Sequence, residues 1–288
     1  MILVTGATGP LGKAVVEFLL KKTPAVNIAA LVRDPAKAED LKAQGVDIRQ
    51  GDYNDYASLV KAFTSIDKLY LVSGNDLPNR AAQQASVVRA AKQAGVKHIL
   101  YTSFQRKNET ASSPISFVSL SHLSTEKAIK ESGLTYTILK HTLYADIIPL
   151  FIGDKVLETG VIFQPAGEGQ VTYATRSDMA EAAANILTGE GHENKVYEIA
   201  GNQAVSYAEI AKIISEITGK SINYVSPTPE VFKEELTKAG VPDMYIGLFS
   251  GFSEGVRQGE FDVTNPTLGT LLGRQPTSVK EYLQTIYS

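Results

Sequence analysis

Through about residue 140 the chain alternates short apolar runs with stretches whose apolar positions recur at helical spacing. The runs Ile2–Thr5, Asn27–Arg33, Asp47–Gln50, Lys68–Val72, His98–Ser103 and Thr135–Leu139 read as buried strands. Between them the spacing predicts helices over Leu11–Lys22, Pro35–Gln44, Tyr56–Thr64, Asn79–Ala94 and Leu120–Ser132. Gly45, Gly95 and Gly133 stand where helix ends take a left-handed residue. Such alternation predicts an α/β fold, a doubly wound parallel sheet with helices on both faces. After Leu139 the rhythm changes to an apolar stretch, a glycine-rich run from Gly160 to Gly169, and helices near Ser177–Leu187, Ser206–Thr218, Pro229–Ala239 and Ser278–Ile286. Residues 1–150 are therefore expected to form the main domain. Residues 151–288 mainly form a smaller lobe, with segments near 171–200, including a strand at Val196–Ala200, returning to the sheet.

The first strand runs into Gly6-Ala7-Thr8-Gly9-Pro10-Leu11-Gly12 and then a helix. Glycines so placed give a tight turn, a backbone that phosphates can approach, and close helix–strand packing, the Rossmann-type arrangement for a dinucleotide diphosphate. Gly6, Thr8, Gly9, Pro10, Leu11 and Gly12 are the expected cofactor contacts, although convenient glycines in an ordinary strand–turn–helix would read the same way. In such a fold ligands bind beyond the carboxyl ends of the strands, so the residues just past each strand are the next candidates. Arg33 follows strand two, where a guanidinium would pair with a 2′-phosphate and select NADPH. Asp34 there would select NADH if it reached a ribose hydroxyl, or could simply cap the helix that starts at Pro35. Asp52 can accept from adenine or close an Asx turn. Ser73 and Gly74 would line the ribose and nicotinamide side.

Composition removes several classes of function. With 28 Lys and Arg against 31 Asp and Glu, a net charge of −3 and scattered basic residues, no nucleic-acid surface is expected. The absence of cysteine excludes disulfides, thiolate metal sites and a Cys nucleophile, and the four histidines lack metal-ligand spacing. No run reaches the roughly eighteen apolar residues of a membrane span. Strand one begins at once, so no targeting segment is expected and the cytosol is the expected compartment. The partner implied is a small molecule, with room for a homodimer.

These landmarks, together with Leu31-Val32-Arg33-Asp34, Gly51-Asp52-Tyr53, Ala94-Gly95-Val96-Lys97-His98-Ile99 and Thr175-Arg176-Ser177-Asp178-Met179-Ala180, resemble the NmrA-like branch of the atypical short-chain dehydrogenase/reductases over nearly the whole chain. Within that branch, His122-Leu123-Ser124-Thr125-Glu126, Tyr136-Thr137-Ile138-Leu139 and Leu143-Tyr144 look most like bacterial NADPH quinone reductases and triphenylmethane-dye reductases. The resemblance implies NADPH and two-electron reduction of a flat aromatic acceptor. The branch also holds regulators that bind dinucleotides without turnover, which leaves an NADP-sensing protein as the alternative. The Tyr-x-x-x-Lys pair of the wider superfamily is missing, with Val118 and His122 at its two positions. Alcohol oxidation and sugar epimerisation, which need that base, are thereby disfavoured.

The catalytic candidates are His122, Tyr144 and Ser103. His122 and Glu126 stand four apart on a predicted helix, so the carboxylate is expected to orient and protonate the imidazole as a proton donor. Tyr144 can hydrogen-bond an acceptor oxygen or simply pack. Ser103 stands where the superfamily keeps a carbonyl-orienting serine, or closes a turn. Lys140 and His141 can reach nicotinamide or ribose, or end a strand in solvent. The polar run Phe104 to Pro114 reads as a lid or a surface loop. Phe151, Phe163, Tyr245, Phe249 and Phe252 are offered as acceptor walls, and Arg176 as a residue of a helix start.

Overall fold

The computed structural model describes all 288 residues, Met1–Ser288. In chain order the first half comprises β1 (Ile2–Val4), α1 (Pro10–Leu20), β2 (Ile28–Val32), α2 (Glu39–Ala43), β3 (Asp47–Gln50), α3 (Tyr56–Ala62), β4 (Lys68–Leu71), α4 (Arg80–Ala94), β5 (His98–Phe104), α5 (Ser116–Ser132) and β6 (Thr135–His141). There follow α6 (Ile148–Ile152), α7 (Val156–Thr159), β7 (Val161–Phe163), β8 (Gln170–Val171), α8 (Arg176–Thr188), β9 (Lys195–Ile199), β10 (Val205–Ser206), α9 (Tyr207–Thr218), β11 (Asn223–Val225), α10 (Pro229–Lys238), α11 (Asp243–Arg257), α12 (Thr267–Leu272) and α13 (Val279–Tyr287).

Seven parallel strands form one sheet in the order β3-β2-β1-β4-β5-β6-β9. The chain direction of winding reverses between β1 and β4, and a crevice opens there at the carboxyl ends of the strands. On one face Val15, Val16 and Leu19 of α1 pack with Ala180, Ala183 and Ala184 of α8 and Leu268 of α12. On the other, α3 and α4 bury Leu59, Val87 and Ala91. Each large apolar side chain withdrawn from water in this way contributes about 1.5–3 kcal/mol.

A separate apolar cluster, with Ile152, Ile162, Val171, Ile210, Phe252 and Leu283, is the core of the lobe. Two small sheets brace it, β8 with β10 antiparallel and β7 with β11 parallel. The late strand β9 pairs with β6 at the edge of the main sheet, whereas β8 pairs with β10. α12 also comes back to the main sheet, unheralded in so short a segment, by seating Leu268 and Leu272 one turn apart.

α11 is absent from the helices that the spacing predicts; Gly247, Gly251 and Gly255 punctuate it, and each glycine costs a helix about 1 kcal/mol. The packing explains two of them. A methyl group on Gly251 would meet the Phe117 ring at 2.7 Å, and one on Gly255 would meet Ile115 at 3.0 Å. The glycines leave room for Ile115 and Phe117 at the start of α5, which begins at Ser116 rather than at Leu120. Pro35–Gln44 likewise divides into a tight turn at Pro35–Ala38 and the short α2.

Candidate functional site

The turn after β1 is built by its glycines. Gly6 has φ +59°, and its carbonyl accepts from the Gly9 N–H at 2.9 Å. Gly12 lies so close beneath it that only hydrogen fits. No side chain caps α1, and the N–H groups of Leu11 and Gly12 have no partner in the chain. Uncapped donors at a helix N-terminus favour an anion. They open on a cleft of about 520 Å³ that runs from Leu31–Arg33 and Gly51–Asn54 at one end to Tyr144 and Arg176 at the other.

Arg33 is exposed on the cleft wall and has no ion-pair partner. Asp34 is occupied elsewhere, its Oδ1 accepting from the Ala36 N–H at 3.1 Å as the cap of the turn that follows. Asp52 also lines the cleft, but its Oδ1 accepts from the Asn54 N–H at 2.8 Å, the Asx turn. Tyr53, not among the expected contacts, braces the floor: its hydroxyl lies 2.6 Å from Thr5 Oγ1 and 2.9 Å from the Val72 carbonyl.

The Ser73–Gly74 wall is held by three side chains from outside it. Thr102 Oγ1 accepts from the Ser73 N–H at 2.8 Å, Gln84 Oε1 accepts from the Gly74 N–H at 3.2 Å, and Arg80 Nε donates to the Gly74 carbonyl at 2.7 Å. Arg80 continues inward to His122, with Nη1 3.1 Å from Nε2. A guanidinium only donates, so His122 Nε2 is the acceptor and Nδ1 carries the hydrogen, 2.7 Å from Tyr101 Oη. His122 is 4% exposed, and burial, then the charges of Arg80 and Arg106, push it well below the usual histidine range.

The expected His122–Glu126 pair is therefore not formed. Glu126 instead faces Arg106, with Nη1 and Nη2 each 2.9 Å from a carboxylate oxygen, and accepts the Ser103 hydroxyl. Burial alone would raise Glu126, but the hydrogen bonds and charge of Arg106 hold it below the ordinary range. His122 and Ser103 thus lie behind the cleft wall. Lys140 also lies off the cleft, paired with Glu198 at 3.2 Å across the β6–β9 ladder. His141 is buried beside the Tyr144 ring with both nitrogens unpartnered, and burial pushes it down to about 3.

Tyr144 does reach the cleft. Burial pushes its phenol up, only partly offset by the Arg176 charge, so it stays protonated at neutral pH. The 104–114 segment is tethered: Glu260 accepts from the N–H groups of Lys107 and Asn108 at 2.7 and 3.0 Å and from Ser113 Oγ at 3.2 Å. Of the lobe aromatics, Phe151 and Phe252 are core and Phe163 packs on Phe232 away from the cleft. Tyr245, 47% exposed, stacks on Phe249 at 6.5 Å and presents a flat apolar surface to solvent.

The chain is 38% identical over 288 residues, all of this chain and 99% of the relative, to quinone oxidoreductase 2 of Escherichia coli (strain K12). Among solved structures it is similar to Citrobacter sp. triphenylmethane reductase complexed with NADP(H), at 40% identity and TM-score 0.92 over 99% of both chains. It is also similar to an NADPH-dependent quinone oxidoreductase of Escherichia coli complexed with NADPH, at 38% identity and TM-score 0.94 over 100% of both chains. No helix is long and apolar enough to cross a membrane. With the NmrA-like family profile matching residues 1–283, and with the fold and glycine turn described above, the chain belongs to the NmrA-like family.

Proposed function

We propose that this chain is an NADPH-dependent reductase that passes two electrons to a quinone or a similarly conjugated aromatic acceptor. One observation carries the reading: an uncapped helix N-terminus on a glycine turn shares an open cleft with an unpaired arginine at one end and a protonated tyrosine at the other. The two solved relatives named above, bound to NADP(H) and NADPH, support the choice of cofactor. The N–H groups of Leu11 and Gly12 bind the diphosphate, Arg33 the 2′-phosphate, and Asp52 borders the adenine end. The Ser73–Gly74 wall, fixed by Thr102, Gln84 and Arg80, borders the ribose and nicotinamide end.

The reduced nicotinamide supplies a hydride when bound. The Tyr144 hydroxyl donates a hydrogen bond to the acceptor oxygen, which gains negative charge as the ring is reduced. Since its phenol is pushed up, Tyr144 retains its own proton, and water delivers the one that completes the hydroquinone. His122, neutral and engaged on both nitrogens, serves to hold Arg80. The open cleft also weighs against a purely sensing protein, which could fill it with its own side chains. The cytosol is the proposed compartment, in keeping with the cysteine-free chain, and a homodimer is the proposed assembly.

Mixing purified protein with NADPH and a panel of quinones and dyes, and following loss of reduced cofactor, tests the reading. Turnover is expected; tight binding without turnover on any acceptor would favour the sensor. Tyr144→Phe is expected to lower kcat by about a hundredfold and leave the NADPH dissociation constant unchanged. Unchanged kcat would remove the hydroxyl from catalysis. Arg33→Ala is expected to weaken NADPH roughly 10- to 100-fold and spare NADH; equal losses would show that Arg33 does not read the 2′-phosphate.

A further inference from the structure

Arg176 opens α8, after Thr175 as cap, and lines the cleft at the end opposite Arg33. The guanidinium lies over the Tyr144 ring, with Cζ 4.5 Å from its centre. Asp146 steadies it from behind: Oδ2 accepts the Arg176 N–H at 2.9 Å, and Oδ1 stands 3.6 Å from Nη1. That ion pair is long and the side chain remains 25% exposed, so the cation is positioned without being consumed.

The charges along the cleft make its task specific. Arg33 and Arg176 are its only lining cations. Lys13, on the first turn of α1, is turned away to Asp40 at 2.6 Å. The glycine turn itself offers only neutral N–H groups. NADPH carries a 2′-phosphate, which Arg33 takes in the reading above, and a diphosphate with two further charges. α8 packs along α1 through Ala180, Ala183 and Ala184 against Val15, Val16 and Leu19, and both helices begin at the carboxyl end of the sheet. Their N-termini therefore open side by side on the cleft, with Arg176 at the mouth of the second.

We propose that Arg176 is the cation that binds the cofactor diphosphate, with Tyr144 and Asp146 as the residues that position it. A guanidinium suits this because its planar fork bonds two phosphate oxygens at once and stacks on an aromatic face while doing so. The same tyrosine then supports the cofactor's charge with its ring and meets the acceptor with its hydroxyl. This inference rests on the NADPH reading.

Calorimetric titration of the purified protein with NADPH, NADH and adenosine 2′-monophosphate tests it without turnover. Arg176→Gln is expected to weaken NADPH and NADH by the same factor, on the order of tenfold. Adenosine 2′-monophosphate, which has no diphosphate, should bind Arg176→Gln as it binds the wild type. Arg33→Ala should give the converse pattern, with NADH spared. Arg176→Lys, which keeps the charge and loses the fork, should recover part of the affinity, and melting curves for each variant separate binding from folding. Unchanged dinucleotide affinity in a folded Arg176→Gln protein overturns the assignment, and if a separate turnover assay then shows a raised KM for an anionic acceptor, the arginine belongs to that acceptor instead. If the wild type binds no dinucleotide, the NADPH reading itself fails, and Arg176 falls with it.

Discussion

Gly12→Ala is expected to abolish NADPH binding and to destabilise the whole sheet. A methyl group at that position would lie 2.3 Å from the Gly6 carbonyl oxygen, 2.7 Å from its carbon and 3.0 Å from the Thr5 carbonyl oxygen. All three are backbone atoms of the strand end and turn, so no flexible side chain can yield. Either α1 moves off the strand or the turn opens, and both displace the donors of Leu11 and Gly12. Overpacking of this kind costs about 3 kcal/mol, which corresponds to a fall in Tm of roughly 6–12 °C. Gly9→Ala is the informative companion, since its methyl would meet only the Gly6 carbonyl oxygen, at 3.3 Å. That variant should melt near the wild type yet bind NADPH more weakly, because in the proposed binding mode the added methyl would meet the diphosphate. A Gly12→Ala protein with wild-type melting and affinity would refute the close packing of α1 on the turn.

Glu126→Ala is expected to cost about 3–5 kcal/mol, the loss typical when one member of a buried ion pair is removed. Arg106 has a fully buried side chain, at 0% exposure, and Glu126 is 7% exposed. Without the carboxylate, the guanidinium keeps the Phe104 carbonyl at 2.7 Å, the Ser103 hydroxyl at 3.4 Å and the half-exposed Glu109 at 3.0 Å, of which only Glu109 carries charge. The double variant Arg106→Met with Glu126→Leu removes both charges and should recover most of the loss. Acid supplies a second readout. Glu126 is held below the ordinary glutamate range in the folded protein, so its contribution is complete above the unfolded-chain value and disappears as pH falls through the depressed folded value. Urea midpoints of the wild type should therefore drop across that acid window by more than those of the double variant. Equal drops would mean that the pair does not carry the pH dependence.

The parts of the site that were legible in the sequence are those whose geometry is local. Gly6, Gly9 and Gly12 belong to one turn, and the segments after β2, β3 and β4 reach the cleft because a parallel sheet brings all its carboxyl ends to one edge. Tyr144 follows from the same rule applied to β6. The His122–Glu126 pairing that the spacing suggests is not formed, for a different cause. His122 and Glu126 do share a face of α5, as four-residue spacing requires, but Arg80 from α4 claims the imidazole and Arg106 from the loop after β5 claims the carboxylate. Sequence separations of 42 and 20 residues conceal both partners. The sequence marks Arg176 as part of a helix start, which it is, yet only the packing of α8 along α1 brings that start to the cleft.

Hydrophobic period, glycine placement and strand–helix alternation were enough to determine the class of fold and the edge of the sheet at which the cleft opens, and they pointed to a dinucleotide. These properties are written in contiguous residues, where backbone stereochemistry acts over a turn or two. The tertiary structure alone decided which ionisable groups face the cleft and which are spent on one another. Burial and opposing charge set the state of His122, Glu126 and Tyr144, and both depend on neighbours supplied by elements far apart along the chain.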